Sequence, residues 1–341
     1  MTRIEASAPT RVDLAGGTLD IWPLYLFHED PITLNVAIDI RTKAVIEPRK
    51  DSRIVLTSQD TLVEKSFIDY DDLMASPGLE LSLLREHVKY WLKPTKKGKI
   101  KGINLITNSD SPVGGGIAAS SSLNIALCGV FSAYLKKKMQ PETIIPLAAN
   151  LEAKVLRAPT GTQDYYPAYY GGLNVIRFSA GGSRRELLKF DIKKFADRFT
   201  LVYTGKPHIS GLNNWQIIKD HIDGNRHTFS CFETLRDVAL DMYQLCRKGD
   251  WDHATGLYER EFAARVALSP VFSSAEIERL HGHALGWGAQ AIKICGAGGG
   301  GCVFLWSDTK KRNRVEEECR RAGFRVLQAR PTLRGLSVKI S

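Results

Sequence analysis

One stretch constrains this chain more than any other: Ser111-Pro112-Val113-Gly114-Gly115-Gly116-Ile117-Ala118-Ala119-Ser120-Ser121-Ser122, running straight into the apolar segment Leu123 to Leu135. The residues before it, Lys101 to Thr107, read as a strand, so the order is strand, glycine loop, helix. Glycines let backbone amides approach an anion closely, and a helix start offers unpaired N–H donors with a positive dipole end. A serine hydroxyl at that point can hold Mg²⁺. The segment from Gly114 to Ser121, taking in Gly115, Gly116, Ile117, Ala118, Ala119 and Ser120, is therefore a candidate cradle for a nucleoside triphosphate.

A chain of 341 residues, 43% hydrophobic and 25% charged, has the composition of a soluble globular protein. At about 100–200 residues per domain, the length predicts two domains. No apolar run of about 18 residues is present and the first ten residues carry no signal-peptide pattern, so no membrane role and a cytoplasmic location are expected. The six cysteines are scattered without a CxxC pair, which argues against a zinc site or a disulfide framework. The net charge of +10 is spread out: Lys136-Lys137-Lys138 fall where a helix should end, and Lys310, Lys311, Arg312 and Arg314 open a late amphipathic helix. No zinc finger, RNP signature or basic–aromatic stripe accompanies it, so anionic small molecules rather than nucleic acid are the expected partners.

Strands are predicted at Arg3–Ala8, Thr33–Ile40, Lys43–Glu47, Arg53–Thr57, Lys101–Thr107, Gly172–Phe178 and Thr200–Thr204, and helices at Glu80–Leu92, Ser120–Leu135 and Pro141–Arg157. From Gly211 onward long amphipathic helices take over, at Leu212–Ile222, His227–Arg247, Trp251–Leu268 and Ser274–Gly288. The end reads as strand, strand, helix, strand and strand, over Ala291–Cys295, Cys302–Trp306, Lys310–Ala322, Phe324–Ala329 and Leu336–Ile340. This pattern is α+β, with a boundary between Gly181 and Gly211, giving domains over 1–195 and 196–341.

Two further glycine-bearing segments stand far from the first: Ala8 to Asp20 (APTRVDLAGGTLD) and Gly296 to Gly301 (GAGGGG). The last contains a literal G-x-G-x-x-G, but the strand-like Cys302 to Trp306 follows it where a dinucleotide site needs a helix. No G-x-x-x-x-G-K-[ST] occurs, and protein-kinase HRD and DFG elements are absent.

Together, APTRVDLAGGTLD, SPVGGGIAASSS and KICGAGGGGC resemble, in this order and spacing, the three motifs of the GHMP small-molecule kinases, from about residue 6 to 306. The resemblance implies a ribosomal-protein-S5-like N-terminal domain that binds nucleotide and sugar, and a ferredoxin-like C-terminal domain, with the active site between them. It implies ATP as phosphoryl donor, Mg²⁺, and a third glycine run that supports the phosphate loop. It also implies a glutamate on a helix and an aspartate in the next loop, here Glu152 and Asp164, twelve residues apart. On that basis Ser120 and Glu152 are the expected Mg²⁺ ligands, oxygen donors suited to a hard cation. Asp164 is expected to orient the acceptor hydroxyl and take its proton, with Arg11 stabilising both the aspartate and the transferring phosphoryl group.

The departures matter too. Ala118 stands where the family usually has glycine in the phosphate loop. Gly17-Thr18-Leu19-Asp20 replaces the Glu-His-Thr-Asp of galactokinases and is more like kinases of heptose 7-phosphate or fucose. Gly17, Thr18 and Asp20 are thus expected to bind the sugar. Trp22, Tyr165, Tyr166 and Tyr170 are expected to line the pocket, with Gly171-Gly172 allowing close approach. Lys206 or His208 is a candidate reader of a substrate phosphate. The reading is a kinase for a hydroxyl, the anomeric one, of a sugar or sugar phosphate; mevalonate- or homoserine-type kinases and a non-catalytic sugar sensor remain alternatives. The oligomeric state is not legible.

Overall fold

The computed structural model describes residues 2–93, 101–208, 212–296 and 298–341. Ile209, Ser210, Gly211 and Ala297, which fall in segments singled out above, lie outside the described residues.

The first half runs β1 (Ile4–Ala15), β2 (Ile32–Pro48), β3 (Ile54–Ser58), β4 (Val63–Phe67), α1 (Tyr70–Ala75), α2 (Ser82–Trp91), β5 (Ile103–Ser109), α3 (Ala119–Tyr134), α4 (Pro141–Leu156), α5 (Tyr165–Tyr170), β6 (Leu173–Ser179) and β7 (Gly182–Leu187). The second runs α6 (Ile192–Ala196), β8 (Phe199–Tyr203), α7 (Leu212–Ile222), α8 (Arg226–Lys248), α9 (Ala254–Leu268), α10 (Ala275–Trp287), β9 (Ala289–Ile294), β10 (Cys302–Ser307), α11 (Arg312–Arg321), β11 (Arg325–Leu327) and β12 (Ser337–Ile340).

The two stretches predicted at Thr33–Ile40 and Lys43–Glu47 are one strand, β2. Arg41 and Thr42 interrupt the apolar pattern, yet their side chains are used: Thr42 Oγ1 lies 2.8 Å from Ser122 Oγ, and Arg41 donates to Ser7 Oγ at 2.8 Å. A register shift in β1 between Pro9 and Thr10 absorbs the mismatch along this long pairing. The expected helix Trp251–Leu268 splits into a 3₁₀ turn over Trp251–His253 and then α9.

Eight strands form one sheet in the order β12-β1-β2-β5-β3-β4, with β6 branching from β2 and β7 from β6. Among the described residues, only β3 and β5 pair in parallel there. β11-β8-β10-β9 form a second, antiparallel sheet. α3 is apolar on nearly every face and is buried against the first sheet and α4. A second hydrophobic cluster joins the halves: Val12, Leu14 and Val36 of the first sheet pack in it with Phe199, Phe304 and Trp306 of the second and Met242 of α8. β12 lies against β1 of the first sheet, pairing Ile4 with Ile340 and Ser7 with Ser337. The division at 195/196 therefore does not hold for the final strand, which returns to the first half. Among the described residues, no helix is long and apolar enough to cross a membrane.

Candidate functional site

The phosphate-loop candidate enters α3 through two left-handed glycines, Gly114 (φ 63°) and Gly116 (φ 69°), and a left-handed Ala118 (φ 62°). Ala118 is also the N-cap of α3, and no side chain caps the helix there. The first amides of α3 therefore lack both intrahelical and capping partners.

The loop's carbonyls are all turned into the protein. Gly114 O accepts from His208 N at 3.0 Å, Gly115 O from Cys302 N at 2.7 Å and Ile117 O from Arg11 N at 3.0 Å. Gly116 O accepts from Arg11 Nη1 at 3.1 Å. A peptide whose carbonyl is tied down on one side presents its amide toward the other; the Gly115 amide is taken by Pro112 O at 3.0 Å, so it is the amides from Gly116 onward that work together with the bare helix start. The third glycine run braces this arrangement: a Cβ on Gly296 would sit 2.4 Å from Gly116 O, and one on Gly301 2.9 Å from Gly115 O.

The loop borders a cavity of about 280 Å³ lined by residues from all three glycine segments, among them Arg11, Asp13, Gly17, Thr18, Asp20, Ser120, Ser121, Glu152, Gly161, Asp164, His208, Arg265 and Gly296. Arg11 spans it: Nε and Nη2 hold the two Asp164 oxygens at 2.6 and 2.8 Å, while Nη1 also reaches Cys295 O at 2.7 Å. Burial alone would lower the Arg11 guanidinium, but the charge and hydrogen bonds of Asp164 outweigh it, and the group sits above its ordinary value.

Glu152, buried on α4, accepts from Tyr165 Oη at 2.7 Å. Burial pushes its carboxyl up, opposed by hydrogen bonds from Tyr165, Ser120 and Ser121. Glu152, Ser120 and Ser121 thus form one oxygen-rich corner beside the α3 start. Ser122 faces away, with its hydroxyl donating to Ala8 O at 2.9 Å.

Asp20 accepts from Gln163 N at 3.0 Å and packs so closely on Gly161 that a Cβ there would lie 2.0 Å from Oδ2. Burial first, and then the charge of Asp164, push Asp20 up to about 7, with the Gln163 amide opposing.

Of the expected site residues, the structure brings Arg11, Gly17, Thr18, Asp20, Gly114, Gly115, Gly116, Ala118, Ala119, Ser120, Ser121, Glu152 and Asp164 to this one cavity. Ile117 is buried in the core beneath the loop. Tyr170 and Gly171 are not brought there. Tyr170 lies under the Arg185 guanidinium, 4.2 Å from its ring centre, and a Cβ on Gly171 would strike Leu333 O at 2.5 Å. Its left-handed backbone serves the crossing of the returning C-terminal segment. Tyr166 donates to Ser183, Trp22 is exposed, and Lys206 points to Glu276 at 3.9 Å; none of them lines the cavity. His208 does line it, with Nδ1 2.8 Å from Gly114 O. Arg265 on α9 and Gln163 also line it and had no local signal in the sequence, since a lone arginine on an amphipathic helix looks like any solvated one.

Comparison with known proteins fits this geometry. Residues 82–172 match the family described as GHMP kinases N terminal domain. The chain is similar to D-glycero-alpha-D-manno-heptose 7-phosphate kinase of Campylobacter jejuni subsp. jejuni serotype O:2, at 26% identity over 95% of each chain. It is also similar to mevalonate kinase of Thermococcus sibiricus, at 24% identity over 99% of this chain and 98% of that one. In fold it resembles a D-glycero-D-manno-heptose 1-phosphate kinase from Bacteriodes thetaiotaomicron, with a TM-score of 0.79 over 98% of each chain at 20% identity. Residues 82–172 thus match a GHMP kinase N-terminal domain, in a chain that is similar over nearly its whole length to a heptose 7-phosphate kinase and a mevalonate kinase.

Proposed function

We propose that this protein transfers the γ-phosphoryl group of ATP to a hydroxyl, the anomeric one, of a sugar phosphate of the heptose 7-phosphate type. One observation carries the reading: the uncapped start of α3, with the loop carbonyls turned away, borders the same cavity as the Arg11–Asp164 pair. The first is suited to a polyphosphate and the second to a hydroxyl and the charge that develops on transfer. The heptose 7-phosphate acceptor is supported by the relative of that name and by Gly17-Thr18-Leu19-Asp20 at the cavity wall.

In this reading Gly114 to Ser121 hold the triphosphate. Ser120 and Glu152 would hold Mg²⁺; a hydroxyl and a carboxylate lining one cavity are the hard oxygen donors this cation takes. When bound, the cation neutralises charge between the β- and γ-phosphates. Asp164 orients the acceptor hydroxyl and receives its proton. Arg11 holds Asp164 in place at 2.6 Å and offers positive charge to the transferring group. Asp20 binds acceptor hydroxyls, Gly17 and Thr18 shape the wall beside it, and the burial of Asp20 makes loss of a matching hydroxyl costly.

The test is ADP release by the purified protein with ATP, Mg²⁺ and a panel of hexoses, heptose 7-phosphates, mevalonate and homoserine, with mass spectrometry of the product. A heptose 1,7-bisphosphate, one phosphoryl group heavier than its acceptor, is the expected product. Turnover of mevalonate or homoserine alone would replace the acceptor assignment, and ligand binding without any ADP release would remove the catalytic one.

A further inference from the structure

A network of four buried charges lies behind the acceptor wall and joins the two halves of the chain. Asp13 comes from β1, Glu261 and Arg265 from α9, and Lys293 from β9. Lys293 Nζ sits 2.7 Å from Asp13 Oδ2 and 3.0 Å from Glu261 Oε1. Arg265 donates from Nε to Glu261 Oε1 at 2.8 Å and lies 3.4 Å from Asp13 Oδ2. Two basic and two acidic side chains pair within this buried cluster, each within ion-pair distance of an opposite partner.

The remaining donors of Arg265 go to the acceptor loop. Nη2 donates to Gly17 O at 3.1 Å and Nη1 to Thr18 Oγ1 at 3.2 Å. That loop needs holding. Gly16 has φ 84°, and Thr18, a β-branched residue, has φ 77°, a conformation such residues rarely adopt. Leu19 N and Ile21 N then bond back to Gly16 O and Thr18 O at 3.2 and 3.3 Å, and Asp20 is carried on that tight turn into the cavity. The fit leaves no slack: a Cβ on Gly17 would lie 2.8 Å from both Arg265 Nη2 and Asp13 Oδ2.

We infer that Arg265 is the positioning residue for acceptor recognition: its planar fork clamps Gly17 and Thr18 in the left-handed turn that aims Asp20 at the acceptor. The acceptor part of this inference rests on the kinase reading above. Lysine would keep the charge balance with Asp13 and Glu261 but cannot bond Glu261, Gly17 O and Thr18 Oγ1 at once. The nucleotide side of the cavity is anchored separately, through Arg11, His208 and Cys302.

The test compares Arg265→Lys, Thr18→Val and the double variant in steady-state kinetics with ATP and D-glycero-D-manno-heptose 7-phosphate, together with hydrogen exchange of the full chain. Each single variant should raise the acceptor KM about tenfold while kcat and the ATP KM stay within about threefold. The double variant should be no worse than the poorer single one, because both break the same clamp. Amides of residues 16–21 should exchange faster in both single variants, with those of 114–122 unchanged. Thr18→Val leaves the charge network intact and keeps the inference testable if Arg265→Lys does not fold.

Unchanged exchange at 16–21 overturns the inference, as does an ATP KM that rises in step with the acceptor KM. Faster exchange at 16–21 in a protein whose wild type releases no ADP with this heptose phosphate would leave the clamp standing and remove the acceptor assignment instead.

Discussion

The guanidinium of Arg11 faces both carboxylate oxygens of Asp164, with Nε at 2.6 Å and Nη2 at 2.8 Å, across 153 positions of sequence. The same guanidinium reaches Gly116 O and Cys295 O, so one side chain ties the first glycine segment to the second and the third. A carboxylate held this way keeps its aim.

Replacing Asp164 with Asn should lower kcat by about 10²–10⁴, the range for removing a positioned acid–base group, with the Kd for ATP within about threefold of wild type. The variant also leaves a buried arginine without its anion, so a loss of folding stability of about 1–3 kcal/mol should accompany it. Rapid-quench turnover, nucleotide titration and a denaturant melt separate these effects. Wild-type turnover would remove Asp164 from the chemistry.

Ala118 is an L-residue in the left-handed region, at φ 62° and ψ 37°. That conformation costs roughly 1–2 kcal/mol, against about 0.4–1 kcal/mol of extra chain entropy that glycine brings to the unfolded state. Ala118→Gly should therefore be neutral or stabilising by up to about 1 kcal/mol, read from the shift in denaturation midpoint. A clear destabilisation would mean that the alanine methyl makes a packing contribution larger than its strain.

Stability should carry the signature of Asp20. Its carboxyl is raised from 3.8 to about 7 in the fold, so between those values the folded chain holds a proton the unfolded chain has released. Stability then falls as pH rises through that window and levels off above it. At about 1.4 kcal/mol for each pH unit the contribution reaches on the order of 4 kcal/mol as an upper bound. Asp20→Asn can still accept from Gln163 N and has no charge to bury. Its melting temperature should exceed that of wild type above pH 7, with the gap closing by about pH 4. A gap that is the same at both ends would place the burial cost elsewhere.

Gly161→Ala should act at the same point by a different route. The new methyl would lie 2.0 Å from Asp20 Oδ2 and 2.8 Å from Oδ1, and Asp20 must move. An acceptor KM raised by about tenfold or more is expected, with kcat and ATP binding less affected. Equal losses for acceptor and ATP would indicate general disruption of the 159–164 loop.

Much of this architecture can be read from local sequence, because its signals are local. α3 shows itself through an unbroken apolar run after a glycine-serine start, and α8 and α10 through period, their Asn225 and Ser274 caps and the glycines that end them. β4 and β7 leave no such trace: VEKSF and GSRREL are short, hold one buried residue between them and lack clear apolar alternation. Tyr170 and Gly171 illustrate the converse. A glycine pair beside aromatic residues suits a sugar pocket, but here the left-handed turn makes room for Leu333 and Arg334 of the returning chain. The clamp on Gly17 and Thr18 is invisible locally for a related reason. Arg265 meets them 248 and 247 positions away, and nothing in GLYEREFAARVAL distinguishes it from the neighbouring Arg260.

β12 lies beside β1, with Arg3 and Ser341 exchanging backbone hydrogen bonds of 2.8 and 2.9 Å. Leu336, just before it, rests on α3, where a Cβ on Gly129 would come within 2.9 Å of its Cδ1. The β1 edge of the first sheet is therefore closed only by residues that follow the entire second half in sequence. The second sheet is no more local, since β8 pairs Tyr203 with Cys302 of β10 and with Arg325 of β11, so both sheets are completed by residues from the last part of the chain.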